Sequence, residues 1–390
     1  MKIGVVTYFD TQNNYGQVLQ AYALQTYLRD KGHEVFLIKY MPTRKTDALI
    51  KKIILKIFDK NAWKKLLGKV DHDLKLEKKI AKRLKSLNKE LDKERCFENF
   101  KNQFVVSTNK TYNSIVELRE NPPIADAYIC GSDQVWRHPL KNPNTAGWFL
   151  SFGDKNIKRI SYAASIGRVI EENEMKIFTD YLSAFDAISV REKKGLELCK
   201  SAGYVDTALV LDPTLLLDAN NYLKLCISKE KTKNYVFLYF LNVATSEEVY
   251  WNEIKQYVSQ TDLDVRIVTS SGYFEARELI PGHLNIQATI SEWLGYIKDA
   301  ESVITTSFHG MVFCILFEKP FLVIPLRNRF ASGNIRIYDF LKEIGLRERV
   351  YDEESGDLSD CMNRTIDWKA AKQKLEELKI NSEDFIATSI

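Results

Sequence analysis

The sequence predicts an α/β protein of two Rossmann-like domains facing each other across a cleft. Three observations carry this expectation. At 390 residues the chain is longer than one hydrophobic core usually serves, so two domains are expected. Short apolar runs alternate with helical periodicity along most of its length, the rhythm of parallel βαβ units. Polar loops follow those runs directly, at the strand ends where such sheets bind ligands. The expected division is 1–210, 211–367 and a helical C-terminal segment, 368–390.

Ile3–Tyr8 reads as the first strand and Phe9–Tyr15 as a loop. Gly16–Lys31 reads as a helix, with Val18, Leu19, Ala21, Tyr22, Leu24, Gln25 and Leu28 on its buried face. Gly32 stops it and Glu34–Lys39 supplies the next strand. After an interruption the rhythm resumes with strands at Ala127–Cys130, Arg159–Ala163 and Ala187–Val190. Val210–Thr214 reads as the crossing between domains. A second set follows: strands Tyr235–Leu241, Val265–Thr269, Ser302–Thr305 and Phe321–Ile324, with helices Ser246–Val258, Ser291–Lys298 and His309–Phe317.

The interruption, residues 44–101, holds 19 Lys/Arg against 9 Asp/Glu, while the rest of the chain is mildly acidic. Within Ala48–Phe58, residues Leu49, Ile50, Ile53, Ile54, Ile57 and Phe58 share one helical face, flanked by Lys51, Lys52, Lys56 and Lys60. Such a helix either packs on its own domain or lies on an anionic membrane surface, and 48–70 is the expected membrane-facing stretch. Asp71–Phe100 reads as highly charged and helical, a long arm or a hairpin. Few aromatics interleave with these basic residues, so nucleic acid is not an expected partner.

The six cysteines are scattered without a CxxC pair and the five histidines are dispersed. No metal and no cofactor are expected, and a reducing, cytoplasmic setting fits. Met1-Lys2 runs directly into a strand, leaving no room for a signal-peptide core, and no apolar run reaches membrane-spanning length.

Four loops carry candidate chemistry. Val303–Gly310 is a buried strand, a tight turn and a helix start, with His309 in the turn. A helix start there presents free N–H groups and the positive dipole end, so His309 can bind an anion and transfer a proton, or simply cap the helix. Asn13-Asn14-Tyr15-Gly16 opens the first helix without the glycines of a dinucleotide fingerprint and reads as a ligand loop or an ordinary cap. Gly131–Trp136 is polar after a buried strand. Its Asp133 is an acid–base candidate or a helix cap, and its Trp136 stacks on a sugar or packs in the core. Arg191 suits a carboxylate or phosphate, or pairs with an acid such as Glu192 or Asp186.

Taken together, these segments resemble the polysaccharide pyruvyl transferase family. The resemblance rests on Ile3–Thr7 through Asn13–Ala21, Gly131–Trp136, Ser161–Gly167, Ser189–Lys193, Asp212–Thr214 and Ser307–Gly310, in the family's order from Ile3 to about Pro325. It implies a glycosyltransferase-B-like fold. It also implies transfer of a pyruvyl group from phosphoenolpyruvate, as co-substrate, to a sugar of a polysaccharide precursor, making a ketal or an enol ether. The sequence does not identify the acceptor sugar; a 4,6-ketal on galactose of a lipid-linked precursor is the first expectation and N-acetylated hexosamines the next. On this reading His309, Asp133 and Arg191 are catalytic. Asn13, Asn14, Gly16, Ser132, Gln134, Ser165, Ser307, Phe308 and Gly310 contact substrate. Attachment to the inner face of the membrane would follow from the acceptor. Where many members carry an arginine two places before the histidine this chain has Ser307, so Arg327, Arg329 or Arg336 is expected to supply the missing cation. The alternatives are a nucleotide-sugar glycosyltransferase of the same fold and a non-catalytic saccharide- or membrane-binding protein.

Overall fold

The structure is a computed structural model that describes residues 1–11, 13–42, 93–230, 233–243, 245–270, 285–352 and 354–390, without the side chains at 328 and 329. The expected amphipathic helix at 48–58 and the membrane-facing stretch 48–70 lie outside the described residues.

The first sheet has seven strands: β1 (Lys2–Val6), β2 (Glu34–Tyr40), β3 (Ser107–Tyr112), β4 (Ala127–Cys130), β5 (Lys158–Ala164), β6 (Ala187–Val190) and β7 (Ala208–Leu209). Their order is β3-β2-β1-β4-β5-β6-β7, and every pairing is parallel. The second sheet has four: β8 (Tyr235–Phe240), β9 (Asp264–Thr269), β10 (Ser302–Thr305) and β11 (Phe321–Val323), in the order β11-β10-β8-β9, again all parallel. Central strands such as β4 and β8 are buried on both faces, which is why they read as unbroken apolar runs. The order of the first sheet reverses between β1 and β4, and that of the second between β8 and β10. Crevices open beyond the carboxyl ends of the strands at such reversals.

The helix Tyr15–Asp30 follows β1 and the helix Phe308–Leu316 follows β10, each starting at one of these reversals, and the two meet across the domain boundary. Tyr15 stacks on Trp293 at 5.0 Å and sets its edge to Tyr239 at 5.7 Å. Its hydroxyl donates to the Ala288 carbonyl at 2.7 Å. Each aromatic pair adds roughly 0.5–1.5 kcal/mol beyond the area it buries. One apolar cluster therefore runs from β1 through Tyr15 to β8 and β10. The C-terminal helix Trp368–Ser389 returns to the first domain, where the Phe385 ring lies 6.4 Å from that of Tyr162 on β5.

Two expectations need correction. The end of the basic segment is not a free arm. Phe97–Phe104 is a helix whose Phe97 and Phe100 sit in the main core, and buried Arg95 donates to Gln287 Oε1 at 2.8 Å and the Thr269 carbonyl at 2.7 Å in the second domain. The expected helix Ser246–Val258 is broken: a 3₁₀ turn at Ser246–Val249 ends at Tyr250 (φ 53°), and the α-helix starts only at Trp251.

Candidate active site

Non-glycine residues in left-handed backbone conformation occur in the loops around the cleft, at Asn13 (φ 60°), Asp133 (φ 75°) and Asn242 (φ 66°), and near the end of β5, at Ala163 (φ 54°). Such residues persist where the surroundings over-determine the backbone, and they gather at functional sites. The conformation turns Asp133 back beneath the β4 end. Its Oδ1 accepts from Arg191 Nη2 at 3.0 Å and its Oδ2 from Gln17 Nε2 at 2.8 Å. Asp133 is thus neither a helix cap nor a free carboxylate. Burial works to raise its pKa, but Arg191, Arg336 and His309 together outweigh it and hold the carboxyl below the usual range.

At the centre lies Asp212, whose side chain is 0% exposed. It caps the 3₁₀ turn Pro213–Leu215 just after β7. Oδ1 accepts from the Thr214 N–H at 3.1 Å and the Thr214 hydroxyl at 2.7 Å. Oδ2 accepts from Ser132 Oγ at 2.8 Å and Arg191 Nη1 at 2.7 Å, and faces His309 Nε2 at 3.5 Å. Burial alone would lift its pKa, but His309, Arg191 and Thr214 override that and hold it far below the carboxylate range.

Arg191, with a side chain 1% exposed, is committed to Asp133 and Asp212, with Glu192 Oε2 3.7 Å from its Nε. Asp186 instead accepts from the Arg159 N–H at 2.7 Å. Both Nη groups of Arg191 are thus tied to carboxylates, while its Nε is buried without a hydrogen bond. The second domain adds Arg336, at the start of the helix Ile335–Glu343. Its Nε and Nη1 are buried without a hydrogen-bond partner, and Nη1 lies 3.7 Å from Asp133 Oδ1. Burial and the neighbouring Arg191 push its pKa down to about 10. Of the three basic residues that could replace the arginine absent at Ser307, Arg336 reaches the cluster, whereas Arg327 lies over the Tyr250 ring at 5.0 Å. The side chain of Arg329 is outside the described residues.

Phe308 underlies both guanidiniums, each 5.4 Å from its ring centre. Ser307 caps its helix by accepting from the Gly310 N–H at 3.3 Å. Gly310 packs so closely that a Cβ would lie 2.5 Å from Thr305 Oγ1. His309 lies against the start of the first helix, where a Cβ on Gly16 would fall 2.0 Å from its Nδ1. Gly16→Ala must therefore displace His309. Overpacking of this kind costs typically 1–3 kcal/mol, so a lower melting temperature is expected together with a loss of turnover, and both can be measured on one preparation.

The other expected contacts divide. Asn14 caps the first helix by accepting from the Gln17 N–H at 3.3 Å, and the Asn13 carbonyl accepts from Ser270 Oγ at 3.3 Å across the domains. Ser165 Oγ donates to Glu192 Oε1 at 2.8 Å. Gln134 and Ser165 line a cavity of about 350 Å³ beyond β4, β5 and β6, which Arg336 closes from the second domain. Trp136 is buried and stacks on Phe149 at 5.0 Å, so it belongs to the core. Sequence reasoning left Asp212 out of the site. The available signal was an acid before Pro213 directly after the apolar Val210-Leu211, the pattern of a capped turn at a strand end.

This cluster, assembled from both domains, holds the residues through which the chain resembles a known family. Residues 14–328 match the family model for polysaccharide pyruvyl transferase. The chain belongs to the polysaccharide pyruvyl transferase family. Family membership thus spans the Asn14 cap, the Asp133–Arg191–Asp212 network and the His309 turn, and stops short of Arg336. No curated protein is similar to the chain at a significant level. Among solved structures, the chain is similar to the UDP-GlcNAc 2-epimerase of Methanocaldococcus jannaschii, with a TM-score of 0.50 at 11% identity over 97% of this chain and 99% of that one. It is also similar to the UDP-GlcNAc 2-epimerase of Neisseria meningitidis bound to UDP-GlcNAc (TM-score 0.45, 10% identity, 97% and 99% covered). A calicheamicin glycosyltransferase gives a TM-score of 0.42 at 11% identity, with 98% and 94% covered. The likeness to the Methanocaldococcus jannaschii enzyme concerns the fold alone, and the two parallel sheets of seven and four strands form a fold of the glycosyltransferase-B type.

Proposed function

We propose that the protein transfers a pyruvyl group from phosphoenolpyruvate to a pair of hydroxyls on a saccharide, forming a cyclic ketal and releasing inorganic phosphate. The observation that carries this reading is Arg336: a buried guanidinium with two unpartnered nitrogens, beside a helix start and His309. A doubly anionic donor, with a phosphate and a carboxylate, is the chemistry such a site lacks.

In the proposed reaction, carbon 3 of phosphoenolpyruvate takes a proton from His309. Carbon 2 then takes the first hydroxyl oxygen, whose proton returns to His309. The bond from carbon 2 to the phosphate oxygen breaks, the second hydroxyl oxygen closes the ketal, and its proton leaves with phosphate. Asp212 Oδ2 lies 3.5 Å from His309 Nε2 and so fixes which way the ring faces in the cleft. Asp133 and Asp212 hold Arg191 in place, and their charges would also favour positive character developing at carbon 2. His309→Ala is expected to lower turnover at least about a hundredfold, the scale of lost general acid–base catalysis, and steady-state phosphate release measures it.

A lipid-linked acceptor, galactose with a 4,6-ketal as first choice, and attachment to an anionic membrane through 48–70 remain part of the proposal on the strength of the basic sequence there. Among the described residues no helix is long and apolar enough to cross a membrane. The test is phosphate release from phosphoenolpyruvate with lipid-linked acceptors, followed by product mass. Acceptor-dependent phosphate with a mass gain of one pyruvyl ketal supports the reading. A folded protein that releases none, yet turns over a nucleotide sugar, replaces it with the glycosyltransferase reading.

A further inference from the structure

The loop after β1 brings Gly16 against His309, and side chains from residues 95–101 grip that loop at both ends. Buried Lys101 donates from Nζ to the Phe9 carbonyl at 3.2 Å and lies 4.4 Å from the centre of the Phe9 ring. At the other end Phe97 and Tyr15 meet edge to face at 4.8 Å, and the Arg95 guanidinium lies 5.6 Å from the centre of the Tyr15 ring. Arg95 is 0% exposed, and both its hydrogen bonds lead into the second domain. Nε donates to Gln287 Oε1 at 2.8 Å and Nη2 to the Thr269 carbonyl at 2.7 Å. Thr269 ends β9, and the 285–289 stretch runs beside that strand, where the Ile286 N–H donates to the Ile267 carbonyl at 2.7 Å. Each acceptor of Arg95 is followed in the chain by a residue that holds the Asn13–Gly16 loop. Ser270, after Thr269, donates from Oγ to the Asn13 carbonyl at 3.3 Å. Ala288, after Gln287, accepts from the Tyr15 hydroxyl at 2.7 Å.

The charge of Arg95 makes its role more specific. Both acceptors are neutral oxygens, and Nη1 is buried without a hydrogen-bond partner. A buried cation held in this way adds little net stability. What a planar fork does add is direction, because it keeps two acceptors from separate segments in one fixed relation. We infer that Arg95 is a positioning residue of the proposed transferase. It holds the end of β9 and the 285–289 stretch so that together they set the Asn13–Gly16 loop, and through Gly16 the ring of His309. The inference rests on the transferase reading for the work that His309 does, and on contacts alone for how the loop is placed.

The experiment is hydrogen exchange on the full chain without any substrate, followed by steady-state turnover of the same preparations. Arg95→Ala is expected to speed exchange at Asn13–Ala21 at least about tenfold more than at the buried strand β4, because a local support and not the whole fold is lost. Arg95→Lys keeps the charge without the fork and is expected to give an intermediate effect. In Arg95→Ala kcat should fall about tenfold or more while KM for phosphoenolpyruvate stays within about threefold, the signature of a misplaced catalytic group. Ser270→Ala removes only the hydroxyl that reaches Asn13, so it should loosen the same peptide more mildly, and it keeps the question answerable should Arg95→Ala not fold. Unchanged exchange at Asn13–Ala21 in both Arg95→Lys and Ser270→Ala overturns the inference. So does equal acceleration at the loop and at β4, which is what a merely structural role gives. Exchange needs neither donor nor acceptor, so a protein that releases no phosphate loses the transferase reading while the loop result stands or falls on its own.

Discussion

Arg336→Ala is expected to lower kcat/KM for phosphoenolpyruvate by about a thousandfold, the upper end of what one preorganised charge-stabilising donor contributes, with only a small fall in the melting temperature. Three features of the site set this guanidinium against its surroundings. It is buried, with a side chain 15% exposed, it neighbours Arg191, and it stands in the first turn of the helix Ile335–Glu343, where the dipole disfavours a cation. A base whose pKa is lower in the folded protein than in the unfolded chain is one whose charged form the fold accommodates poorly. At neutral pH the loss of this poorly accommodated charge therefore offsets part of what losing its contacts with Phe308 and Asp133 costs. An anionic ligand reverses the balance by pairing Nε and Nη1. Saturating phosphoenolpyruvate should accordingly raise the melting temperature of the wild type and leave that of Arg336→Ala unchanged. Arg336→Lys retains charge without the planar fork, so an intermediate loss is expected. A variant with normal kcat/KM and normal ligand stabilisation would move the donor site elsewhere.

The same residue shows what was legible in the sequence. Strands such as Ser302–Thr305 and Ala187–Val190 were recoverable to the residue, because burial on both faces leaves an apolar run with sharp polar ends. The polar edge strand Ser107–Tyr112 was not, since half of it faces solvent and its hydrogen bonds come from a neighbour far away in sequence. Loops at strand ends pointed to Asp133, Arg191 and His309 as neighbours. Their division of labour was not visible, because it depends on which carboxylate reaches which guanidinium. Arg191 reads as a free fork in sequence and proves tied on both sides by Asp133 and Asp212. Arg336 reads as one of three interchangeable cations and proves to be the one the second domain delivers to Asp133. A contact made only when two domains close leaves no local pattern.

Asp212→Asn is expected to destabilise the protein by about 3–5 kcal/mol at neutral pH, the usual result of breaking a buried ion cluster from one side. The two oxygens of Asp212 predict how the damage is distributed. Oδ1 binds Thr214, and the amide oxygen of asparagine can keep that turn. Oδ2 receives donors from Ser132 and Arg191 and faces His309 Nε2, so an NH₂ group there would meet donors from every side. Arg191 would lose half its charge compensation, and His309 the carboxylate that orients it, so turnover should fall along with stability. The pH dependence separates a charge effect from a packing effect. Asp212 and Asp133 have folded pKa values below their unfolded ones. Their contribution is therefore present above the ordinary aspartate value of about 3.9 and is lost as pH falls through the lower folded values. Urea midpoints measured from neutral to strongly acidic pH should show wild type and Asp212→Asn converging in acid. A gap that stays constant across that range would mean that shape, and not the buried negative charge, is what the cluster requires at this position.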